Sequence, residues 1–437
     1  MGSFFQPITD CITVLFFLVI LSYYVLVFRK PHRPNVDRAF KSLTIVVTAH
    51  NEEPYIAAAL RSAIAADFAG EKEIVCIDDG SLDRTAEIAA QFPQVRLIRK
   101  PHTGKSASMN LALAEAKGEV VAFLDGDSEM SANTMVEMAR NIEQHNFVGT
   151  TCPVLVKNRN KSIFMWLHID SMYASFLHLI LAKVNANIVN SGQCGMFRKK
   201  ELMESGGFCV NSLNEDMELA IRLVRLGYHL GFTEGTVSYT NMPEDFGWFV
   251  RQRVRWMRGG INVLTQHLRL SSTLIDLYTM PLLVFGYVQA VVMTSFTFYQ
   301  IGLGYWTYFA SQGHFVSLDV ARFLLDWCSI TGLLRWSFGF FSGDTPVTAI
   351  NVIGAMASLL SYPLFVFAIV KFDRKIDLFH IIPLCFMAPF WWLIACIQII
   401  SLPEIFHKPR PNVWTKKAVS VSVDGAASRV LTGSAAE

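Results

Sequence analysis

Between positions 43 and 270, short apolar runs alternate with longer amphipathic stretches. Apolar runs bounded by turn residues are typical of buried parallel strands, and amphipathic stretches of helices. The predicted strands are Leu43–Thr48, Glu73–Ile77, Val95–Ile98 and Val120–Leu124. The predicted helices are Pro54–Ala66, Arg84–Phe92 and Lys105–Lys117. This order predicts an α/β fold with a doubly wound, mostly parallel sheet, whose ligands bind at the carboxyl ends of the strands.

The chain outside this region has the pattern of a membrane protein. The run Cys11–Phe28 lacks charge and is long enough to cross a bilayer. Basic residues follow it, and no small-residue cleavage site does, so we expect a retained anchor whose C-terminal side is cytoplasmic. These basic residues are Arg29, Lys30, Arg33, Arg38 and Lys41.

Further apolar segments at Leu277–Leu303, Pro346–Val370 and Leu378–Leu402 predict three more spans. The segment Val320–Phe341 contains Arg322, Asp326 and Arg335, which are costly at mid-bilayer, so it is either a fifth span or a helix at the membrane surface. We favour five spans, because the basic tail from His407 then ends in the cytoplasm. After Trp414 the small, polar composition predicts disorder.

Composition excludes several classes of protein. The chain has 437 residues, of which 52% are hydrophobic and 17% charged, which is too apolar for a soluble protein. The net charge of +2 gives no overall basic field, which argues against a nucleic-acid partner. The eight cysteines show no C-x-x-C spacing and the eleven histidines no H-E-x-x-H spacing, so neither a disulfide framework nor a zinc motif is indicated.

Acidic residues follow two of the predicted strands. Asp78-Asp79-Gly80-Ser81 follows the second strand, and Asp125-Gly126-Asp127 follows the fourth. Two carboxylates one residue apart on a turn suit a hard divalent cation such as Mg²⁺ or Mn²⁺ that is shared with phosphate oxygens. The alternative is turn chemistry alone, since Asp and Gly favour such turns for backbone reasons.

The common nucleotide-binding loops are absent. Gly104-Lys105-Ser106 lacks the earlier glycine of a phosphate-binding loop, because Arg99 stands there. The first strand–helix turn also lacks the glycine-rich dinucleotide fingerprint. Lys105 remains a candidate contact to a phosphate as a point charge near a helix start.

Two later segments carry further candidates. Asn214 is a candidate N-cap of a helix that ends before Gly227. The first turn of this helix contains Glu215, Asp216 and Glu218. These carboxylates either compensate the helix dipole or, in the case of Asp216, act as a base for a hydroxyl nucleophile. The basic, aromatic helix predicted at Phe246–Leu270 is most simply interfacial. Gln252, Arg255 and Trp256 nevertheless share one of its faces and are suited to clamp a diphosphate and stack on a sugar.

Taken together, these residues resemble the family 2 inverting glycosyltransferases of the membrane-embedded synthase type, which includes the poly-N-acetylglucosamine, hyaluronan, chitin and cellulose synthases. The resemblance spans about residues 43–262 and is strongest to the bacterial poly-N-acetylglucosamine branch. It is carried by Thr48…Asn51-Glu52, Asp78-Asp79-Gly80-Ser81, Asp125-Gly126-Asp127, Ser191-Gly192…Phe197-Arg198, Glu215-Asp216 and Gln252-Arg253-Val254-Arg255-Trp256.

The resemblance implies a GT-A-like domain that binds a uridine-diphosphate sugar at a bacterial plasma membrane. Thr48, Glu52 and Asp79 would hold the uracil and ribose, with Lys105 nearby. Asp125 would face the diphosphate, and Asp127 would be the ligand of Mg²⁺ or Mn²⁺. Asp216 would be the catalytic base; Arg255 would steady the diphosphate, Trp256 would stack on the acceptor, and Gln252 and Arg253 would complete the binding motif.

The primary hypothesis is therefore inverting transfer from a UDP-sugar, UDP-GlcNAc or UDP-glucose, to a growing β-linked polysaccharide, coupled to export. The rivals are transfer of one sugar to a membrane lipid, and a transporter or sensor that only binds nucleotide. An accessory export subunit and a homo-oligomer both stay open. The expected divisions are 1–40 (anchor and linker), 41–243 (catalytic domain), 244–276 (interfacial helices), 277–403 (membrane helices) and 404–437 (tail).

Overall fold

A computed structural model describes residues 2–30, 40–159, 162–188, 192–269, 272–373 and 375–407. Arg33, Arg38, Ser191 and the tail beyond His407, including Trp414, lie outside the described residues. The strands are β1 Ser42–Ala49, β2 Glu71–Asp79, β3 Val95–Lys100, β4 Val120–Asp125, β5 Ser128–Met130, β6 Gly149–Thr151, β7 Val154–Val156, β8 Cys194–Arg198, β9 Leu230–Phe232 and β10 Ser238–Thr240.

The helices alternate with these strands and continue beyond them. They are α1 Gly2–Phe28, α2 Ile56–Ala65, α3 Thr85–Ala89, α4 Lys105–Glu115, α5 Thr134–His145, α6 Ser162–Ala182, α7 Lys199–Glu204, α8 Glu215–Arg225, α9 Phe246–His267, α10 Met280–Tyr308, α11 Leu318–Cys328, α12 Ile330–Ser342, α13 Ala349–Phe372, α14 Leu378–Cys385 and α15 Met387–Ser401. A π-helical turn precedes α10 and a 3₁₀ turn follows α15.

Seven strands form the main sheet in the order β3-β2-β1-β4-β8-β6-β9. The first four are parallel, as predicted, while β8 runs antiparallel to both β4 and β6. A second sheet has the order β5-β10-β7. The central parallel strands β1, β2 and β4 are buried on both faces because α2, α3 and α5 cover one side and α4, α7 and α8 the other, whereas the edge strand β3 is only partly buried. The predicted strands and helices of the α/β region are confirmed to within a few residues at their ends.

Among the described residues, four helices are long and apolar enough to span a membrane: Gln6–Phe28, Ile275–Gln312, Ala349–Phe372 and Met387–Phe406. Two predictions about this region are wrong. The segment predicted as one helix at Val320–Phe341 breaks at Ser329, and the segment predicted at Leu378–Leu402 breaks at Phe386. Because α11 and α12 have 11 and 13 residues, neither has the roughly 20 residues that a span needs.

The membrane helices are packed onto the α/β domain through α6 and α9. One apolar cluster joins side chains of α1, α6, α9, α13 and α15. Lys371 at the end of α13 is paired with Glu234, which follows β9. These contacts fix one side of the domain against the apolar helices.

Candidate active site

The ends of three parallel strands bring the acidic segments together. Asp125 ends β4 opposite Thr48 of β1, and Asp78 of β2 lies opposite Ala49. A cavity of about 1050 Å³ opens at this edge. Its lining includes every residue to which the sequence gave a catalytic, substrate-binding or metal-binding role: Thr48, Glu52, Asp79, Lys105, Asp125, Asp127, Asp216, Gln252, Arg253, Arg255 and Trp256. The structure therefore brings all of them together, although they are far apart in sequence.

Asp79 is held by a dense set of donors. Its carboxylate accepts hydrogen bonds from the backbone N–H groups of Thr103 (3.0 Å) and Gly104 (2.9 Å) and is paired with Lys100 and with His102 Nδ1 (2.9 Å). Burial alone would raise the pKa of Asp79, but these hydrogen bonds and charges outweigh it and the pKa is lowered. Asp79 thus carries a fixed negative charge at the cavity wall.

A glycine is required beside Asp79. Gly80 has φ +68°, and a Cβ atom there would lie 2.7 Å from the backbone nitrogen of His102. The strand therefore turns tightly enough for the loop of Thr103 and Gly104 to reach the carboxylate. Sequence reasoning missed Lys100 and His102, because they enter the site from the next strand.

The turn after β1 is built by side-chain hydrogen bonds. Asn51 has φ +55°, a left-handed conformation that Asn tolerates. Its N–H donates to Ser81 Oγ (3.0 Å), and its Oδ1 accepts from Leu82 N–H (2.8 Å). The Glu52 N–H donates to Thr85 Oγ1 at 2.7 Å. These bonds tie the β1 and β2 turns together and bury Glu52 in the cavity wall.

Lys105 lies at the centre of a carboxylate cluster. Its Nζ is 2.6 Å from Asp125 Oδ1 and 3.6 Å from Glu215 Oε1, and it donates to the carbonyl of Gly192 at 3.0 Å. Burial disfavours its charge, but Asp125 and Glu215 dominate and raise the pKa of Lys105. Burial raises the pKa of Asp125 to about 6, against the lowering effect of Lys105. Sequence reasoning placed Lys105 near a phosphate and did not foresee its pairing with Asp125.

Asp127 lies one residue beyond Gly126 and faces the same cavity. Ser128 Oγ donates to its Oδ1 at 3.3 Å, and Asn241 holds its backbone carbonyl at 3.1 Å. Its charge contributes to the raised pKa of Asp125, so the two carboxylates are close. Since Lys105 occupies Asp125 Oδ1, Asp127 is the better placed of the two for a hard cation; two carboxylates in a polar cavity are the donor set that Mg²⁺ and Mn²⁺ prefer.

Asp216 lies in the first turn of α8, opposite Gly192. The N–H groups of Met217 (2.8 Å) and Gly192 (3.3 Å) donate to its two carboxylate oxygens. Burial and then the neighbouring Glu215 raise the pKa of Asp216, and Lys105 opposes them. A Cβ atom on Gly192 would lie 3.5 Å from Asp216 Oδ2 and 3.3 Å from Lys105 Nζ, so a larger residue would crowd both groups.

Asn214 occupies the predicted N-cap position of α8, but its side chain makes no capping bond. Instead its Nδ2 donates to the carbonyl of Trp256 at 3.1 Å. The amide also fills the space beside Gly259, where a Cβ atom would lie 2.2 Å from Asn214 Oδ1. The expected cap is therefore wrong, and the residue joins the helix of Asp216 to the helix of Trp256.

The polar and aromatic residues of the α9 motif make different contacts in the cavity wall. Arg253 is buried, with its guanidinium 2.8 Å from Asp170 of α6 and 4.8 Å from the centre of the Trp256 ring. Arg255 donates to the carbonyl of Leu213 at 3.2 Å, next to the start of α8. Gln252 Oε1 is buried at the cavity wall and has no hydrogen-bond partner among the described residues. Arg253 thus packs against the Trp256 ring and holds it in place, while Gln252 Oε1 can accept a hydrogen bond from a ligand.

Side chains of the apolar helices also line the cavity. They include Phe16 and Tyr23 of α1, Tyr173 of α6, Phe285 of α10 and Gln398 of α15. The strand-end part of the cavity is charged, and this second part is aromatic and apolar. After the roles that the sequence predicts for their residues, we call them the donor end and the acceptor end.

Comparison with known proteins agrees with this architecture. The family model described as glycosyl transferase family 2 matches residues 44–205. A poly-beta-1,6-N-acetyl-D-glucosamine synthase of Staphylococcus epidermidis is 24% identical over 419 residues, covering 92% of this chain and 94% of that protein. A probable glycosyltransferase of Bacillus subtilis is 27% identical over 247 residues, covering 52% of this chain and 57% of that protein.

The fold is also similar to that of a solved enzyme. A mannosyltransferase from Pyrobaculum calidifontis superposes with a TM-score of 0.56 at 17% identity, covering 84% of this chain and 99% of that one. The domain therefore has the GT-A-like glycosyltransferase fold. The matched family model identifies residues 44–205 as a glycosyl transferase family 2 domain, and the end-to-end similarity to a synthase and the assembled acidic cavity agree with a glycosyltransferase.

Proposed function

We propose that the chain is an inverting polysaccharide synthase that transfers a sugar, GlcNAc or glucose, from its UDP donor to a hydroxyl of a growing β-linked chain. The observation that carries this proposal is that one cavity is lined both by the carboxylate cluster and by aromatic side chains of the apolar helices. Similarity over nearly the whole length of a named synthase supports a polymer acceptor.

At the donor end, the nucleoside would lie against Thr48, Glu52 and Asp79. Asp79 is held ionised by its own donors, so it offers a rigid wall to the nucleoside. Lys105 would contact a phosphate oxygen, since its charge is already maintained by the carboxylates around it.

Asp127, with Asp125 beside it, would hold a divalent cation, which supplies charge neutralisation for the diphosphate. The donor set suits Mg²⁺ or Mn²⁺, and the Pyrobaculum enzyme with the shared fold was solved with GDP-mannose and Mn²⁺. Arg255, at the junction of α8 and α9, would stabilise the departing diphosphate.

Asp216 would accept the proton of the acceptor hydroxyl as that oxygen attacks the anomeric carbon. Its raised pKa makes it a stronger base than an ordinary carboxylate, and two N–H groups fix its orientation. One displacement with one base inverts the anomeric centre. Trp256, supported by Arg253, would stack on the acceptor sugar, and Gln252 would bond to one of its hydroxyls.

The expected divisions at 40, 243, 276 and 403 stay part of the proposal, with the catalytic domain in the cytoplasm. The segment 375–406 begins beside Arg159, which lies 3.8 Å from Asp377, and ends with buried Glu404 at 3.9 Å from Arg258 of α9. Both ends therefore contact the catalytic side. If α1, α10 and α13 cross the membrane and the segment 375–406 enters and leaves on the same side, His407 and the basic tail would be cytoplasmic, in agreement with the positive-inside tendency.

The decisive experiment incubates the purified full-length chain, in lipid nanodiscs, with a panel of UDP-sugars and sizes the products. A ladder of β-linked oligomers that grows with time, together with release of UDP, is the expected result. A lipid carrying one sugar would overturn the polymer acceptor and favour the lipid-glycosylation rival. Binding of UDP-sugar without UDP release, in the presence of polymer primers, lipids and Mn²⁺, would overturn transfer altogether.

A further inference from the structure

A second cluster of ligand-type side chains lies away from the catalytic cavity, where α6, α13 and α14 meet. His168 of α6, Asp373 at the end of α13 and His380 of α14 each offer one atom, and these atoms lie within 4.8 Å of one another. The two imidazoles are 3% and 0% exposed. Because more than 200 residues separate His168 from the other two, no spacing in the sequence indicates the cluster.

Both imidazoles aim at the same carboxylate oxygen. His168 Nε2 and His380 Nε2 each lie 3.1 Å from Asp373 Oδ2. The His168 nitrogen forms a hydrogen bond there, but His380 Nε2 is buried and forms none. Two ligand atoms on a tetrahedral zinc ion, with bonds of about 2.0–2.1 Å, lie roughly 3.3 Å apart, which is close to both of these distances.

We propose that His168, Asp373 and His380 bind a zinc ion, distinct from the hard cation of the donor end. Two imidazole nitrogens and one carboxylate oxygen are a typical zinc donor set, whereas Mg²⁺ prefers oxygen ligands alone. Asp377 is placed to become the outer partner that such a histidine requires: its buried Oδ1 lies 2.8 Å from His380 Nδ1 and forms no hydrogen bond within the described part of the chain, so it can accept the Nδ1 proton when Nε2 binds metal.

Two neighbouring contacts weaken the affinity of this site for zinc. Arg159 donates to Asp373 Oδ2 at 2.9 Å and lies 3.8 Å from Asp377 Oδ2, so its charge repels a cation. The Asp377 N–H also donates to His380 Nδ1 at 3.3 Å, which favours the tautomer that cannot bind metal through Nε2. With neutral imidazoles, however, two carboxylates against one guanidinium leave a net negative charge that attracts a divalent ion.

A zinc ion at this position would have a structural role next to the acceptor end, because it would link three helices. Asp170, which holds Arg253 beneath Trp256, lies two residues after His168 on α6. The ion would fasten this helix to the end of one membrane helix and the start of the next segment. It would thereby connect the packing of the membrane helices to the position of Trp256.

The test measures zinc bound to the untagged full-length chain in detergent with excess Mg²⁺, by elemental analysis and by competition with a chromogenic chelator. We expect about one zinc ion per chain, retained in Asp127→Asn and in the exposed control His314→Ala. His380→Gln and His168→Gln should each weaken zinc binding at least about 100-fold, and Asp377→Asn about 10- to 100-fold.

Arg159→Gln separates a metal site from a simple ion-pair cluster, because it should tighten zinc binding by at least about fivefold once the repelling charge is gone. Zinc should also raise the unfolding temperature of the natural chain and not that of His380→Gln. Absence of stoichiometric zinc in the natural chain, or equal zinc binding in His380→Gln and His314→Ala, would overturn the proposal. If His380→Gln fails to fold, the Arg159→Gln and Asp377→Asn affinities still decide the question.

Discussion

The donor end and the acceptor end of the cavity are held in place by different means. At the donor end, Asp79 and Asp125 end strands of one sheet, and their partners lie on the turns beside them. At the acceptor end, Trp256 depends on Arg253, Arg253 on Asp170, and Asp170 on a helix packed against the membrane segments. Chemistry at the donor end is therefore local to the sheet, whereas acceptor position depends on the whole assembly.

Two contacts connect the ends. Asn214 donates to the carbonyl of Trp256, and Arg255 donates to the carbonyl of Leu213. Both bonds join the start of α8, which carries Asp216, to α9. At the other end of α8, Arg225 is paired with the buried Asp276 in the turn that precedes α10. The proposed base is thus fixed between the two ends and between the sheet and the apolar helices, where the proposed reaction would bring the acceptor hydroxyl to the donor sugar.

The largest expected effect on the rate comes from removing the carboxylate of Asp216, which lies between the donor end and the acceptor end. Asp216→Asn keeps the size of the side chain but cannot accept a proton at neutral pH, so the rate of UDP release should fall about 10²- to 10⁴-fold. Affinity for the UDP-sugar should change less than about threefold, because the donor end is untouched. The exposed pair Glu137–Arg140 supplies the control Glu137→Gln, which should keep the full rate. A rate near that of the natural chain in Asp216→Asn would show that the base lies elsewhere.

Asp127→Asn breaks the donor end alone. Loss of a metal-binding carboxylate should lower the rate about 100-fold at a fixed Mn²⁺ concentration. Part of the rate should return as Mn²⁺ is raised, since Asp125 remains, whereas Asp216→Asn should not respond to added metal. The natural chain should stop in EDTA and recover with Mg²⁺ or Mn²⁺. Full activity in EDTA would contradict the role of Asp127.

Asp79→Asn tests how much the donor end depends on its own ion pairs. The change leaves the nearly buried Lys100 without its counter-charge, and breaking such a pair costs about 3–5 kcal/mol of the free energy of unfolding. Denaturant unfolding of the full chain in detergent measures it. Arg84 and Glu87 form the matched exposed pair, so Glu87→Gln should cost less than about 1 kcal/mol. Equal losses in both variants would mean that the Asp79 pair is not buried in solution.

The same difference explains what could be predicted from sequence. The acidic part of the donor end follows from strand order, because parallel strands bring their carboxyl ends to one edge, and so Asp79 and Asp125 were predicted there. Thr48 was assigned only through the resemblance to a family. Lys100, Asp170 and the side-chain role of Asn214 were missed, since each acts on a residue from a different element. Membrane segments were predicted by hydropathy, which does not register the breaks at Ser329 and Phe386, because a broken and a straight apolar helix have the same composition.

The smallest expected effect is a pH dependence of metal binding and stability that comes from Asp125 at the donor end. Burial raises the pKa of Asp125 to about 6, above the value of about 3.9 in an unfolded chain, so the folded protein binds more protons between these values. As pH rises through about 6, ionisation of Asp125 therefore removes stability from the metal-free chain while creating a carboxylate that favours metal. We expect Mn²⁺ affinity to fall, by no more than about tenfold per pH unit, as pH is lowered from about 7 to 5. In metal-free protein, Asp125→Asn should flatten the change of unfolding temperature between about pH 4 and 6, whereas Glu137→Gln should leave it as in the natural chain. If Asp125→Asn keeps the full pH dependence of the unfolding temperature, the titrating group is elsewhere, and Asp216, whose pKa is also raised, would be the residue to test next.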